Sequence, residues 1–310
     1  MANVKSARTK TIPNKLKEKL LTLLISVIVL VISPFIATTV EGELVVTMID
    51  VEQGDAFLLE QNGVIALVDC GTKLDGKAVI EYLKSKGITR IDYFFGTHPH
   101  DDHMGCMAEI LENFEVGTII IPKVESKKVT SEWFKKLMKK IREGQYNLQY
   151  AEQDAIYVLG NAEIKILAPS EEAKSNLNNY SIILKVSLGQ NDIIMTGDAE
   201  TPVEKEVIEK YGKELEAEIL KVGHHGSDTS TSDEWLEAVN PEYALISAGL
   251  GNSHEHPIKS TMTKLEKAGV EVYRTDESGT VEVTITANDI MFNCNPGDYL
   301  SGTELTEREE

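Results

Sequence analysis

All seven histidines of this sequence fall in three short clusters: His98, His100 and His103; His224 and His225; His254 and His256. Each cluster lies beside Gly, Asp or Ser. Imidazole and carboxylate are the commonest protein ligands for zinc and related divalent ions. In His98-Pro99-His100 the alternate residues of an extended chain share a side, so both rings can face one ion. Asp102 and His103 then turn away and can face a second ion. Asp198 closes the run Met195-Thr196-Gly197-Asp198. Two cations about 3.5–4 Å apart repel each other, and a shared carboxylate offsets that repulsion. The pair His224-His225 can supply the remaining imidazole. Neighbouring residues of a strand point opposite ways, so one of the two is expected to ligate and the other to face substrate. His254 and His256 flank Glu255 just before Pro257 in a Gly- and Ser-rich loop, where solvated histidines are an equal reading.

These residues need a frame that brings distant chain ends together. Ile91–Gly96 is nearly all apolar, which predicts a strand buried on both faces that runs directly into the first histidine cluster. Strands are expected at Leu44–Asp50, Ala56–Glu60 and Val64–Asp69, the last two joined by the hairpin signal Asn62-Gly63. Further strands are expected at Thr118–Ile121, Ala155–Val158, Glu163–Ala168, Ser181–Leu188, Asp192–Thr196, Glu218–Val222, Tyr243–Ser247, Val270–Arg274 and Thr280–Thr286. Helical spacing appears at Lys77–Lys86, Pro202–Tyr211, Asp233–Val239 and Lys259–Ala268. Hairpin-linked strands with helices between them predict an α+β fold of two sheets covered by helices, over residues 43–290. An acidic tail, 291–310, is expected after it.

The N-terminus reads differently. Six of the first nineteen side chains are basic and only Glu18 is acidic. The 21 residues from Leu20 to Val40 carry no charge, enough helix to cross a hydrocarbon core of about 30 Å. The expectation is a basic cytoplasmic segment (1–19), a membrane anchor or signal peptide (20–40), and an exported domain held at the membrane, or secreted if the segment is cleaved. Net charge is −19 overall. Without the basic leader, 25 basic side chains face 49 acidic ones. Such a surface repels polyanions and excludes a general nucleic-acid coating protein. Cys70, Cys106 and Cys294 are too few for a disulfide scaffold and are expected as small buried residues.

The loop Thr97-His98-Pro99-His100-Asp101-Asp102-His103 is similar to the metal loop of the metallo-β-lactamase superfamily. Other stretches resemble a narrower branch, the hydrolase domain of ComEC-type DNA-uptake proteins. They are Asp50-Val51-Glu52-Gln53-Gly54-Asp55-Ala56, Val68-Asp69-Cys70-Gly71, Leu220 to Ser227, Ser247-Ala248-Gly249 through His256-Pro257, and Tyr273 to Asp276. The resemblance covers about residues 45–285. It implies a four-layer αββα sandwich and a site that holds two divalent ions, with His98, His100, Asp102, His103, Asp198 and His224 as ligands. It implies Asp69 as a residue that orients the site, and it leaves His225 and His256, with Asp102, as the catalytic set. Asn179, Lys221 and Ser227 are expected to support the ligands or touch an anionic substrate. Two departures stand out. No histidine lies between His103 and His224, where the superfamily has a third imidazole for the first ion; Asn178, Asn179 and Ser181 stand there instead. That leaves Mn²⁺ beside Zn²⁺ as the expected metal. Cys106 replaces a glycine.

The expected activity is metal-dependent hydrolysis outside the membrane, with a metal-bound hydroxide attacking a small phosphodiester or oligonucleotide. Hydrolysis of a lactam or lactone is the alternative within that chemistry. A non-catalytic, metal-stabilised surface binding module is the alternative outside it.

Overall fold

The computed structural model describes residues 42–125, 128–170 and 176–309. The basic segment 1–19 and the apolar run 20–40 lie outside the described residues. Among those described, no helix is long and apolar enough to cross a membrane.

Fifteen strands form two sheets among the described residues. The first runs β1 Leu44–Met48, β2 Phe57–Gln61, β3 Val64–Val68, helix α1 Gly76–Ser85, β4 Arg90–Phe95, short helix α2 Asp101–Met104, α3 Met107–Asn113, β5 Glu115–Ile121, α4 Glu132–Glu143 and β6 Leu148–Tyr150. The chain then crosses to the second sheet with β7 Ile156–Leu159, β8 Ala162–Ala168, β9 Ile183–Leu188, β10 Asn191–Met195, α5 Thr201–Tyr211, β11 Ile219–Lys221, α6 Asp233–Val239, β12 Tyr243–Ile246, α7 Lys259–Ala268 and β13 Glu271–Arg274. It returns through α8 Thr275–Ser278 to β14 Val281–Ile285 and β15 Ile290–Phe292, and closes with α9 Gly302–Glu309. The sheet orders are β15-β14-β1-β2-β3-β4-β5-β6 and β13-β12-β11-β10-β9-β8-β7.

Alternation along each strand builds the layers. In β1 to β3, Leu44, Val46, Met48, Phe57, Leu59, Ala66 and Val68 turn inward and meet Ile164, Leu184, Val186 and Ile193 of the other sheet. Leu58, Leu67 and Phe94 point the other way, against Val79 and Leu83 of α1, Met107 and Ile110 of α3, and Leu137 and Ile141 of α4. Helices α5, α6 and α7 cover the outer face of the second sheet through Val203, Val207, Trp235, Met262 and Leu265. The result is helix, sheet, sheet, helix. Asn62 and Gly63 take φ of 50° and 80°, the left-handed pair that a two-residue hairpin needs.

In both sheets the parallel strands deliver the candidate site residues. β3 to β6 pair in parallel, as do β10 to β13. Their C-terminal ends release Asp69, the His98–His103 loop, Asp198, His224-His225 and the loop after β12. Strand β4, between parallel neighbours, buries Ile91, Phe94 and Phe95 completely.

Helices α3 and α4 are additional to the expected elements, and the C-terminal segment corrects an expectation. Residues 291–309 do not trail from the domain. β15 pairs with β14, Ser301, Gly302 and Leu305 are buried, and Arg274 ties the segment down. The fully buried Arg274 pairs with Asp276 at 2.7 Å and donates to the carbonyls of Asp298 and Leu300.

Candidate metal centre

Asp69 leaves β3 with φ of 57°, and its buried carboxylate accepts three hydrogen bonds from the first histidine loop. Thr97 donates from its backbone N at 2.7 Å and its Oγ1 at 2.6 Å; His103 donates from Nδ1 at 2.8 Å. That contact fixes the tautomer of His103 and turns its Nε2 into the site. Nε2 lies 3.2 Å from Asp198 Oδ2 and 3.8 Å from Asp102 Oδ2. The His225 ring lies 5.2 Å from that of His103. Its Nδ1 donates to the Ser247 carbonyl at 2.9 Å, leaving Nε2 3.6 Å from both Asp102 Oδ2 and Asp198 Oδ1. Asp102, His103, Asp198 and His225 thus place four ligand atoms within 4.8 Å of one another.

A second group shares Asp198. His98 Nε2 is 3.7 Å from Asp198 Oδ2 and 2.9 Å from His100 Nδ1. Among the described residues, only hydroxyls steady the far side of the His98 ring: Thr97 Oγ1 at 3.2 Å and Ser181 Oγ at 3.3 Å from Nδ1. Ser181 also accepts the backbone N–H of Asp198 at 3.0 Å.

Divalent ions fit these donors. His103 Nε2, His225 Nε2 and Asp198 Oδ1 are buried without a hydrogen-bond partner and converge on one point. Unpaired buried polar atoms are costly, and three at one place call for a cation. Electrostatics agree. Burial disfavours charge on His103, yet Asp198, Asp102 and Asp69 around it raise its pKa well above the imidazole range. Burial likewise opposes ionisation of Asp198, but His103 and His225 hold it well below the carboxylate range. The cluster is short of positive charge, which ions would supply.

Several expected roles change places. His224 was the expected ligand and His225 the proton donor; the ring inside the four-atom group is that of His225. The residues do not lie in an extended strand. β11 ends at Lys221, and His224 and His225 both take left-handed backbone angles, φ 50° and 54°, in a tight turn Gly223–Gly226. His224 is the more exposed ring. Its Nε2 lies 3.6 Å from Asp198 and its Nδ1 3.1 Å from Thr229 Oγ1. Lys221 cannot touch a substrate: it is buried and its Nζ pairs with Asp55 at 2.5 Å and donates to the Gly197 carbonyl at 3.0 Å. Breaking such a buried pair commonly costs about 3–5 kcal/mol. Asn179 braces Glu200, accepting its N–H at 3.1 Å and donating to its carboxylate at 3.0 Å, while Asn178 lines the cleft. Ser227 is buried and caps its own turn, accepting the Thr229 N–H.

Asp55 was given no role beforehand. It lies 3.4 Å from His225 Nδ1 and 3.7 Å from His103 Nδ1, and Lys221 is its counter-ion. Burial opposes its ionisation, but Lys221 first and then His225 keep it ionised. Its opening motif was the available signal.

The donor groups open into a cleft of about 490 Å³ that Asn252, His254 and His256 also line. Asn252 shapes that part of the lining: its Oδ1 accepts the N–H of His254 and of His256 at 3.1 Å each, and its Nδ2 donates to the His256 carbonyl. The His256 ring lies 5.5 Å from that of His224. Burial, then the neighbouring His225 and His224, push its pKa down to about 3, so the ring is neutral at neutral pH.

The metallo-beta-lactamase superfamily matches residues 49–249. The chain belongs to this superfamily. Members typically bind divalent metals and hydrolyse their substrates, and the fold and donor set here are of that kind. The chain is 30% identical over 260 residues to the ComE operon protein 3 of Bacillus subtilis, covering 78% of this chain and 33% of that protein. It is 30% identical over 243 residues to the competence protein ComA of Neisseria gonorrhoeae, covering 78% and 32%. Recombination protein 2 of Haemophilus influenzae is 31% identical over 243 residues, covering 77% and 28%. This superfamily member therefore spans about a third of the length of these relatives. Among solved structures, CmlA, a diiron beta-hydroxylase from Streptomyces venezuelae, superposes with a TM-score of 0.53 at 14% identity over 79% of this chain and 54% of that one. The metallo-beta-lactamase fold protein YhfI from Bacillus subtilis superposes with a TM-score of 0.50 at 13% identity over 82% and 100%. Both likenesses concern the fold.

Proposed function

We propose that the protein is a two-metal phosphodiesterase acting on short nucleic-acid or nucleotide substrates outside the cytoplasmic membrane. The observation that carries this reading is the sharing of Asp198 between two adjacent donor groups. His103, Asp102, Asp198 and His225 would hold one ion; His98, His100 and Asp198 would hold the other. Bound there, a pair of Zn²⁺ or Mn²⁺ ions supplies Lewis-acid charge for phosphoryl oxygens and makes water acidic enough to attack at neutral pH. The chain's own residues do the rest. Asp69 and the Ser247 carbonyl hold the two imidazoles in the ligating tautomer. His224, partly exposed beside Asp198 and with its pKa lowered by burial, would take up a proton and pass it to a leaving oxygen. His256, neutral and Asn252-braced, offers a hydrogen bond from the cleft lining.

A phosphodiester is favoured over a lactam or lactone by the relatives' names, those of competence and recombination proteins. The charge of −24 beyond the basic leader argues for short substrates, since long DNA would approach against repulsion. Export rests on the apolar run and its basic flank. The test is a panel of bis-p-nitrophenyl phosphate, short oligonucleotides, a chromogenic lactam and a lactone, each with Mn²⁺ or Zn²⁺. Turnover of the phosphodiesters alone supports the reading; turnover of the carbonyl substrates alone overturns it. Added protease should digest the domain on intact cells, and protection until lysis would reverse the topology.

A further inference from the structure

Two of the three cysteines meet directly beneath the metal loop. Cys70 follows Asp69, and Cys106 stands three residues after His103. Both side chains are fully buried in the same apolar layer, and burial, then the neighbouring Cys106 thiol, raises the Cys70 pKa well above its ordinary value. The backbone holds the two segments side by side. Cys70 N donates to the His103 carbonyl at 2.8 Å, and Cys106 N donates to the Gly71 carbonyl at 3.2 Å. Gly76 completes the fit, because a Cβ there would lie 2.2 Å from Cys106 Sγ. The thiol therefore occupies space that only glycine leaves open. Disulfides need cysteines on adjacent segments, and two cysteines buried in one layer on backbone-bonded neighbouring segments meet that need.

We propose that Cys70 and Cys106 are an oxidation site that forms an intramolecular disulfide. Neither cysteine joins an ion-holding group among the described residues. Cys294 lies apart, partly buried against the inter-sheet core. The oxidant is a low-molecular-weight disulfide. One cysteine thiolate attacks it, forming a mixed disulfide and releasing one thiolate. The second cysteine thiolate then attacks the mixed disulfide at the protein sulfur and releases the other. Two protein thiols lose two protons and two electrons, one S–S bond forms, and the oxidant is reduced to two thiols. In the folded protein both sulfurs sit in the layer of Ile49, Val51, Val79 and Met107, closed to reagents. Exchange therefore takes place while that layer is open, during folding, and burial then shields the bond from reductant. The bond would join the segment carrying Asp69 to the one carrying His103, covalently backing the hydrogen bond between them.

The experiment needs no assay of hydrolysis, so its outcome is separate from that of the proposed activity. The full chain in detergent is unfolded in denaturant and refolded by dilution, in one arm with reduced and oxidised glutathione and in the other with dithiothreitol. Both arms are acid-quenched, alkylated in denaturant and mapped by mass spectrometry. In the glutathione arm, Cys294 alone should be alkylated, with a Cys70–Cys106 cross-linked peptide. The oxidised protein should melt about 5–10 °C above the reduced one, the gain expected for closing a loop of a few tens of residues. Cys294→Ala should form the same cross-link, and Cys106→Gly should erase the difference in melting between the arms. Three alkylated cysteines in the glutathione arm would overturn the proposal. So would a cross-link that uses Cys294, or a melting temperature no higher than that of the reduced protein.

Discussion

The two halves of the metal centre are built to different standards. Around Asp102, His103 and His225, every imidazole is held from behind: His103 by a buried carboxylate at 2.8 Å and His225 by a carbonyl at 2.9 Å. Asp55 and Lys221 add a buried ion pair next to both rings. Around His98 and His100 the support is two hydroxyls, and His100 is only half-buried. That half also lacks the third imidazole of its superfamily. The difference teaches that one group of donors is oriented from behind by a carboxylate and a carbonyl, whereas the other is steadied by hydroxyls.

Removing what the halves share should have the largest effect. Asp198→Ala should abolish turnover and take bound metal from two ions per chain to fewer than one. Near-normal activity and metal content would mean that the halves do not share a ligand. The next effect separates the adjacent histidines. His225→Ala should lose the ion of its own half, whereas His224→Ala should keep both ions and lose about 10²–10⁴-fold in rate, as loss of a proton donor typically does. Elemental analysis and kinetics on the two variants decide this, and metal loss in His224→Ala instead would restore the order expected from sequence.

Support from behind should matter unequally. Asp69→Asn should weaken the tighter metal affinity about 10–100-fold, the usual cost of losing such a partner. Calorimetric titration of chelator-treated protein would read it. Ser181→Ala should do less, lowering chiefly the weaker affinity, because its hydroxyl lies 3.3 Å from the His98 ring and otherwise only accepts the Asp198 backbone N–H. Equal losses in the two variants would contradict the asymmetry.

Much of this arrangement is visible in the chain because ligands are chemically conspicuous. Seven histidines at Gly-, Asp- and Ser-rich sites mark the centre, and the apolar run of β4 shows that its loop leaves a buried strand. Turn chemistry was less visible. Period-two reasoning puts His224 and His225 on opposite faces of a strand, but Gly223 and Gly226 bracket a left-handed turn in which that period does not apply. Long-range pairing was invisible as well. Lys221 resembles an anion-binding residue until Asp55, far off in sequence, is seen to neutralise it. The choice between Asn178 and Asn179 depends on one step of a tight turn. Helix α4 was readable, since Trp133, Phe134, Leu137 and Ile141 share one face. The C-terminal segment was masked by its acidity: Glu304 and Glu307 advertise solvent, while Leu305 between them is buried.

That last segment bears on where this protein can be cut. Gly302 N donates to the Pro257 carbonyl at 2.8 Å, and a Cβ on Gly302 would lie 2.2 Å from the His256 carbonyl. The final helix is therefore the masonry behind the loop that carries His254 and His256. The superfamily match stops at residue 249. A fragment trimmed to that border would retain every residue of the two donor groups yet lose one wall of the cleft and its backing. One trimmed at Phe292 would keep the wall and leave it unsupported. Selection on substrate could thus act at residues far from any ligand, through a stretch that family comparison passes over.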